Sequence, residues 1–197
     1  MSTRPLLIVF TKAPYLGQAK SRLAAGVGKV HANRLYRAMI KRVLRSVRDP
    51  RWDTILYVTP DKDAPRLFGG VWPGDMPRLL QGQGSLSPRL TRAFAGKRPV
   101  AVIGTDCPQI RARDIAGAFK ALRSAPCVFG PADDGGFWLM AMNGPLSAGV
   151  FDDVAWSTDT ALSDVERNIK GDAVYLRTLI DVDDIQALRA VRRGRPV

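Results

Sequence analysis

The sequence has one histidine, His31, and two cysteines, Cys107 and Cys127, in 197 residues. A Ser-His-Asp or Cys-His machine needs an imidazole beside its nucleophile, so such chemistry is disfavoured unless His31 itself serves. His31 stands near the start of a helical pattern and reads as structural. The two cysteines lie in different segments without metal-ligand spacing. Reduced thiols and a cytoplasmic setting are therefore expected. No apolar run approaches the ~20 residues that span a bilayer. The opening MSTRPLLIVFTK holds one Arg and a strand-length apolar run, with no small-residue cleavage pattern, and reads as a first strand instead of an export signal. No GxGxxG follows that strand and no GxxxxGK[ST] occurs, which weakens dinucleotide-oxidoreductase and P-loop readings. Acidic residues are few, 18 against 30 Lys and Arg, for a net charge of +12.

Such a surplus favours phosphorylated or acidic partners. The cations are spread along the chain without an aromatic-interleaved motif, and Arg192, Arg193 and Arg195 form a short terminal cluster, so nucleic acid is not the expected partner. Apolar content of 46% and charged content of 24% fit an ordinary globular chain. The length fits a single domain over residues 1–197, with no repeat or low-complexity tract.

Two hydrophobic periods alternate along the chain. PLLIVFT (Pro5–Thr11) and TILYVTP (Thr54–Pro60) are compact strand-like runs. Between them Val30, Leu35, Tyr36, Met39, Ile40, Val43, Leu44 and Val47 recur at three- and four-residue steps, a long amphipathic helix stopped by Asp49-Pro50. After an irregular Gly/Pro-rich stretch and a short RLLQG, a helix is expected near Pro88–Ala95. PVAVIGTDCP (Pro99–Pro108) gives a further strand and Asp114–Ser124 a helix. Ala125–Met142 reads as strand, loop, strand, the second strand an antiparallel addition after Gly135-Gly136. Ser157–Lys170 is expected as a helix capped by Ser157 or Thr158, AVYLRTLIDV as a last strand and Asp184–Val191 as a last helix. Strands alternating with helices predict an α/β fold: a three-layer α/β/α sandwich around a mainly parallel, Rossmann-like sheet.

In open α/β sheets ligands bind beyond the carboxyl ends of the strands. Lys12, Gly17, Lys20 and Arg22 follow the first strand. Asp106 follows the central one, Asp133 to Gly136 the next, and Asp181, Asp183 and Asp184 the last. Cations facing carboxylates are what a diphosphate bridged by a divalent metal needs, and oxygen ligands suit Mg²⁺ or Mn²⁺. Each piece has a plainer role. Lys12, Lys20 and Arg22 fit a solvated helix start, though cations there oppose the helix dipole and an anion would resolve the conflict. Asp106 fits a turn before Cys107-Pro108, Asp134-Gly135-Gly136 is a turn signal, and Trp156-Ser157-Thr158 fits a buried aromatic before a helix cap.

Four stretches in order, FTKAPxxGxAKSRL, IGTDCP, GPAxDGGFWL and WST, resemble a bacterial family of small glycosyltransferase-A-type proteins described as nucleotide-diphospho-sugar transferases. A closing DVD fits as well. The resemblance runs from Phe10 to about Leu188. It implies a nucleotide-binding α/β/α sandwich in which Lys12, Pro14, Gly17, Lys20, Arg22, Gln81, Gly135 and Gly136 contact nucleotide or phosphate. Asp106 and Asp183 would hold the Mg²⁺ or Mn²⁺. Lys20 would act on the leaving group, and Asp134 on the acceptor or as general base. Ser85 and Ser87 stand where similar proteins carry Asp and Gly, and Asp184-Ile185 where relatives often show Thr-Pro. Gly104 precedes Asp106 where a DxD motif has its first Asp. A single Asp is common in nucleotidyltransferases of this fold, including phospholactate guanylyltransferases. Two enzyme readings follow: a metal-dependent glycosyltransferase using a nucleotide-diphospho-sugar donor, or a nucleotidyltransferase joining a nucleoside triphosphate to a phosphorylated small-molecule acceptor.

Overall fold

The computed structural model describes residues 4–96 and 98–194, so Arg195 of the basic cluster lies outside the described residues. The order is β1 (Leu6–Lys12), α1 (Ser21–Val27), α2 (Lys29–Ser46), β2 (Asp53–Thr59), β3 (Arg78–Leu80), α3 (Leu86–Ala93), β4 (Val100–Ile103), α4 (Ala112–Ala121), β5 (Cys127–Pro131), β6 (Phe137–Met142), α5 (Ala161–Asn168), β7 (Ala173–Tyr175) and α6 (Ile185–Arg192).

The seven strands form one sheet in the order β3-β2-β1-β4-β6-β5-β7. β1 pairs parallel with β2 and β4, as do β2 with β3 and β5 with β7. β6 alone runs the other way, antiparallel to both β4 and β5. A parallel crossover needs a dozen or more residues, whereas residues 132–136 can only turn the chain back on itself. The expected antiparallel strand is therefore present, set between β4 and β5 as an interior strand.

Period-two alternation splits the core. Leu7, Val9, Ala101 and Ile103 pack on one face with α1, α2, α4 and α6. Ile8, Val100, Val102 and Phe129 pack on the other with α3 and α5. Strands buried on both faces read as unbroken apolar runs, which is why β1 and β4 were visible in the sequence. The stripe on α2 is buried through Tyr36, Met39, Ile40, Val43 and Leu44. Truncating one such buried aliphatic to Ala costs about 2–5 kcal/mol.

Three expectations shift. A separate seven-residue helix, α1, precedes α2, divided from it by Gly28 at φ 80°. The last strand covers only Ala173–Tyr175 of the run expected. Beyond it the chain leaves the ladder, keeping one bridge between Ala132 and Leu179, and Leu176 packs into the core. Thr160, three residues past the expected start, is the N-cap of α5, because Thr158 instead bonds the Ala155 carbonyl within the preceding loop.

Candidate active site

The carboxyl ends of β1, β4 and β5 open on the same edge of the sheet. Backbone hydrogen bonds bring the C-terminal acidic run to them. Leu179 N–H donates to Pro131 O, Asp133 N–H to Leu179 O, and Val182 N–H to Asp106 O at 3.1 Å. Asp181 N–H donates to the Asp133 carboxylate at 2.9 Å. Asp181 and Asp183 are thereby held beside Asp106.

Lys20 reaches into this group from the first loop. It adopts a left-handed conformation, φ 56° and ψ 50°, at the N-cap of α1. Its ammonium lies 2.8 Å from Asp106 Oδ1, 2.8 Å from Asp183 Oδ1 and 3.4 Å from Asp181 Oδ1. The lysine side chain is 6% exposed, against 39% for Asp106 and 50% for Asp183. Burial alone pulls the Lys20 pKa down. The charges of Asp106 and Asp181 and the hydrogen bonds to Asp106 and Asp183 outweigh it, so the pKa stands above the ordinary lysine value. Burial pushes the Asp181 carboxyl up to about 6; Lys20 opposes this, while Asp106, Asp183 and Asp134 add to it. The expected conflict between cations and a helix N-terminus is thus answered inside the protein: α1 has only seven residues and the Lys20 charge is met by three aspartates.

A cleft of about 340 Å³ surrounds this cluster, lined by Lys12, Gly17, Lys20, Tyr36, Asp106 and Asp183 among others. The Tyr36 hydroxyl donates to Lys12 O, and burial raises its pKa to about 12, so it remains a neutral donor. The loop that carries Gly17 is braced by Tyr15, whose hydroxyl donates to Asp63 and whose ring packs edge-on to Phe68.

A second cleft, about 190 Å³, lies on the other side of Asp106 and is lined also by Asp134, Gly136, Phe137, Trp156 and Asp181. Asp134 Oδ1 accepts from Gly136 N–H at 3.0 Å. Gly135 has φ 84° and lies against Asp159, where a Cβ would come within 2.1 Å of the Asp159 carbonyl oxygen. Only glycine fits that conformation and that approach. Cys107 also lines the cleft, but burial, reinforced by Asp181 and Asp106, raises its thiol well above the usual range. It is no nucleophile at neutral pH.

Lys12, Gly17, Lys20, Asp106 and Asp183 thus share one cleft, and Asp134 and Gly136 line its neighbour. The remaining expected contacts lie outside both. Pro14 is buried, its carbonyl taken by Asn33. Gln81 is 4% exposed and its amide donates to Tyr57 O and Thr11 O while accepting from Arg89. It braces the sheet edge. Arg22 is 78% exposed and stands 3.7 Å from Asp183. Asp184 caps α6 by accepting from Ala187 N–H. Among the lining residues, the aromatic pair Phe137 and Trp156 had no site role expected, and Asp181 was expected only as one of the carboxylates after the last strand. A larger cleft of about 920 Å³, lined by Trp52, Phe119 and Lys120 among others, sits at the opposite ends of β1 and β4 and contains no carboxylate. The aspartates around Lys20 line the two smaller clefts, which also occupy the ligand-binding edge of such sheets.

The bacterial family described as "Uncharacterized protein conserved in bacteria (DUF2064)" matches residues 43–158, and the chain belongs to it. Among solved structures, a Desulfovibrio desulfuricans G20 protein, provisionally named a nucleotide-diphospho-sugar transferase, is 26% identical with a TM-score of 0.89, over 98% of this chain and 88% of that one. A 4-diphosphocytidyl-2C-methyl-D-erythritol synthase from Anaerococcus prevotii DSM 20548 is 12% identical with a TM-score of 0.61, over 98% of each chain. Rv0371c of Mycobacterium tuberculosis H37Rv, solved in complex with manganese, is 16% identical with a TM-score of 0.55, over 98% of this chain and 100% of that one. The last two share the fold alone. No curated protein matches in sequence. The sheet is therefore of the nucleotide-diphospho-sugar transferase type, and no helix among the described residues is long and apolar enough to cross a membrane.

Proposed function

We propose that the chain is a single-domain, metal-dependent transferase that takes a nucleotide-diphospho-sugar donor. The observation that carries this is the Lys20 ammonium held among Asp106, Asp181 and Asp183 at the carboxyl ends of the strands, with Lys12 lining the same cleft. The similarity to the D. desulfuricans protein and its name supports the same reading.

The donor set is chemically suited to a hard divalent cation. Asp106 and Asp183 offer oxygen ligands, are partly open to solvent and already hold a cation between them in the form of the lysine ammonium. No cluster of three metal-ligating side chains is preassembled among the described residues, so two carboxylates, the diphosphate and water would complete the shell. Mg²⁺ or Mn²⁺ held there would neutralise charge on the leaving diphosphate. Lys12, Lys20 and the Gly17 backbone would bind the phosphates, and Lys20 would stabilise the departing nucleoside diphosphate. Asp134, fixed by its bond to Gly136 N–H, would position the acceptor hydroxyl or take its proton.

A second reading, transfer of a nucleotidyl group from a triphosphate, draws on Gly104, which leaves Asp106 without an acidic partner two residues earlier. The two are separated by supplying sugar nucleotides and nucleoside triphosphates in parallel with Mn²⁺. Release of nucleoside diphosphate from sugar nucleotides supports the first. Pyrophosphate release with no sugar-nucleotide turnover replaces it with the second.

A further inference from the structure

The two clefts that share Asp106 differ in charge. The larger is lined by Lys12 and Lys20 together with Asp106 and Asp183, so cations and carboxylates balance there. The smaller is lined by Asp106, Asp134 and Asp181, with Trp156, Phe137, Ser157 and Thr158, and by no Lys, Arg or His. The cation nearest in contact, Lys20, is already bound by Asp106, Asp181 and Asp183.

We infer that the smaller cleft takes a hydroxyl-rich acceptor that carries no negative charge, a small polyol or sugar, and rejects phosphate esters and acids. The inference rests on reading the Lys12–Lys20 cleft as the donor side. Ionised carboxylates only accept hydrogen bonds, so a ligand there must donate them, and hydroxyl groups do. A phosphate ester brings acceptors and like charge to three carboxylates, the kind of mismatch by which sites exclude the wrong partner.

The remaining wall suits the other side of such a molecule. Trp156 is anchored by its Nε1–H to Ser87 Oγ at 2.8 Å, and its ring meets Phe137 at 6.2 Å between centroids. A fixed apolar ring face can cover the C–H surface of a polyol. The volume, about 190 Å³, is below the roughly 300–1,000 Å³ of drug-sized ligand sites, which limits the acceptor to a small molecule or the end of a larger one. The fold thus sorts its two substrates by charge on either side of Asp106.

The test compares matched pairs on the full chain at low ionic strength: D-mannose against D-mannose 6-phosphate, and glycerol against glycerol 3-phosphate, by saturation-transfer magnetic resonance. The neutral member of each pair should bind at least tenfold more tightly. Ser157→Lys adds a cation at an exposed lining position whose hydroxyl makes no hydrogen bond among the described residues, and should reduce the ratio below threefold. Asp134→Asn keeps the oxygen that accepts from Gly136 and should reduce the ratio in the same direction. Phosphate esters binding as tightly as their neutral partners, neither member binding, or a ratio unmoved in both folded variants would overturn the inference. Titration of a fluorescent guanosine or uridine diphosphate with Mn²⁺ on the same samples reports the donor reading separately. Failure there with the pairwise preference intact removes the donor assignment alone.

Discussion

The Lys20 ammonium and the Asp106 carboxylate stand 2.8 Å apart although they belong to loops after different strands, β1 and β4. This contact joins the two clefts. Replacing Lys20 by Met leaves Asp106, Asp181 and Asp183 facing one another without their cation. Breaking a buried pair costs about 3–5 kcal/mol, and the partial exposure of Asp106 and Asp183 reduces that here to about 1–3 kcal/mol. Mn²⁺ should then raise the melting temperature of Lys20→Met more than that of the parent chain, because the metal fills the vacated charge. An equal or smaller Mn²⁺ shift removes the carboxylates from the metal role.

Asp106→Asn is expected to weaken Mn²⁺-dependent nucleotide binding at least tenfold, about 1.4 kcal/mol. Asp49→Asn serves as the comparison. Asp49 is tied to Arg51 near the other end of the sheet and should leave nucleotide affinity unchanged. Isothermal titration of both variants decides, and equal behaviour excludes Asp106 from the site.

Asp181 gives a pH signature. Its folded pKa of about 6 lies above the ~3.9 of an unfolded aspartate, so the folded chain holds this proton more tightly. Protonation therefore stabilises the fold below about pH 4, and that contribution is lost as pH rises through about 6. Asp181→Asn cannot lose it. The stability of the variant minus that of the parent should rise between pH 4 and pH 7, on the order of 1–3 kcal/mol. Urea midpoints at the two pH values measure it, and a flat difference refutes the raised pKa.

The sequence revealed the elements whose pattern is long or buried on both faces. The α2 stripe and the apolar runs of β1 and β4 have no competing reading. α1 is too short to show a helical period, and Gly28 divides it from α2 without any change in composition. β7 was overestimated because Leu176, Leu179 and Ile180 are apolar for packing, while their pairing beyond Tyr175 is reduced to isolated backbone bonds and one bridge. The site was legible as residue types at strand ends. Its assembly was not, because Val182 N–H bonding to Asp106 O is a long-range backbone contact with no local pattern. Gln81 shows the converse: a polar residue after a short strand whose side-chain amide donates inward to Thr11 O and Tyr57 O.

Gly135 tests the loop that carries Asp134. Gly135→Ala combines φ 84° with a Cβ placed 2.1 Å from the Asp159 carbonyl oxygen, so backbone must move. The expected destabilisation is about 2–4 kcal/mol, from left-handed strain together with overlap. Gly144→Ala, at φ 71° with no neighbour within 4 Å, isolates the strain alone and should cost less. Thermal melts of the two variants compare the terms.

Lys20 and Asp183 are partners across 163 positions of sequence. Closing so long a loop carries an entropic penalty that local helices and hairpins do not face, and contacts of this order form late in folding. The parallel strands β1, β2 and β4 can pair before the last acidic run has docked, whereas the cation cluster cannot exist until it has. A chain halted on the ribosome before Asp181 would carry all seven strands, with Lys20 met by Asp106 alone. The charge balance around Lys20 is in that sense a report on whether the segment carrying Asp181 and Asp183 has docked.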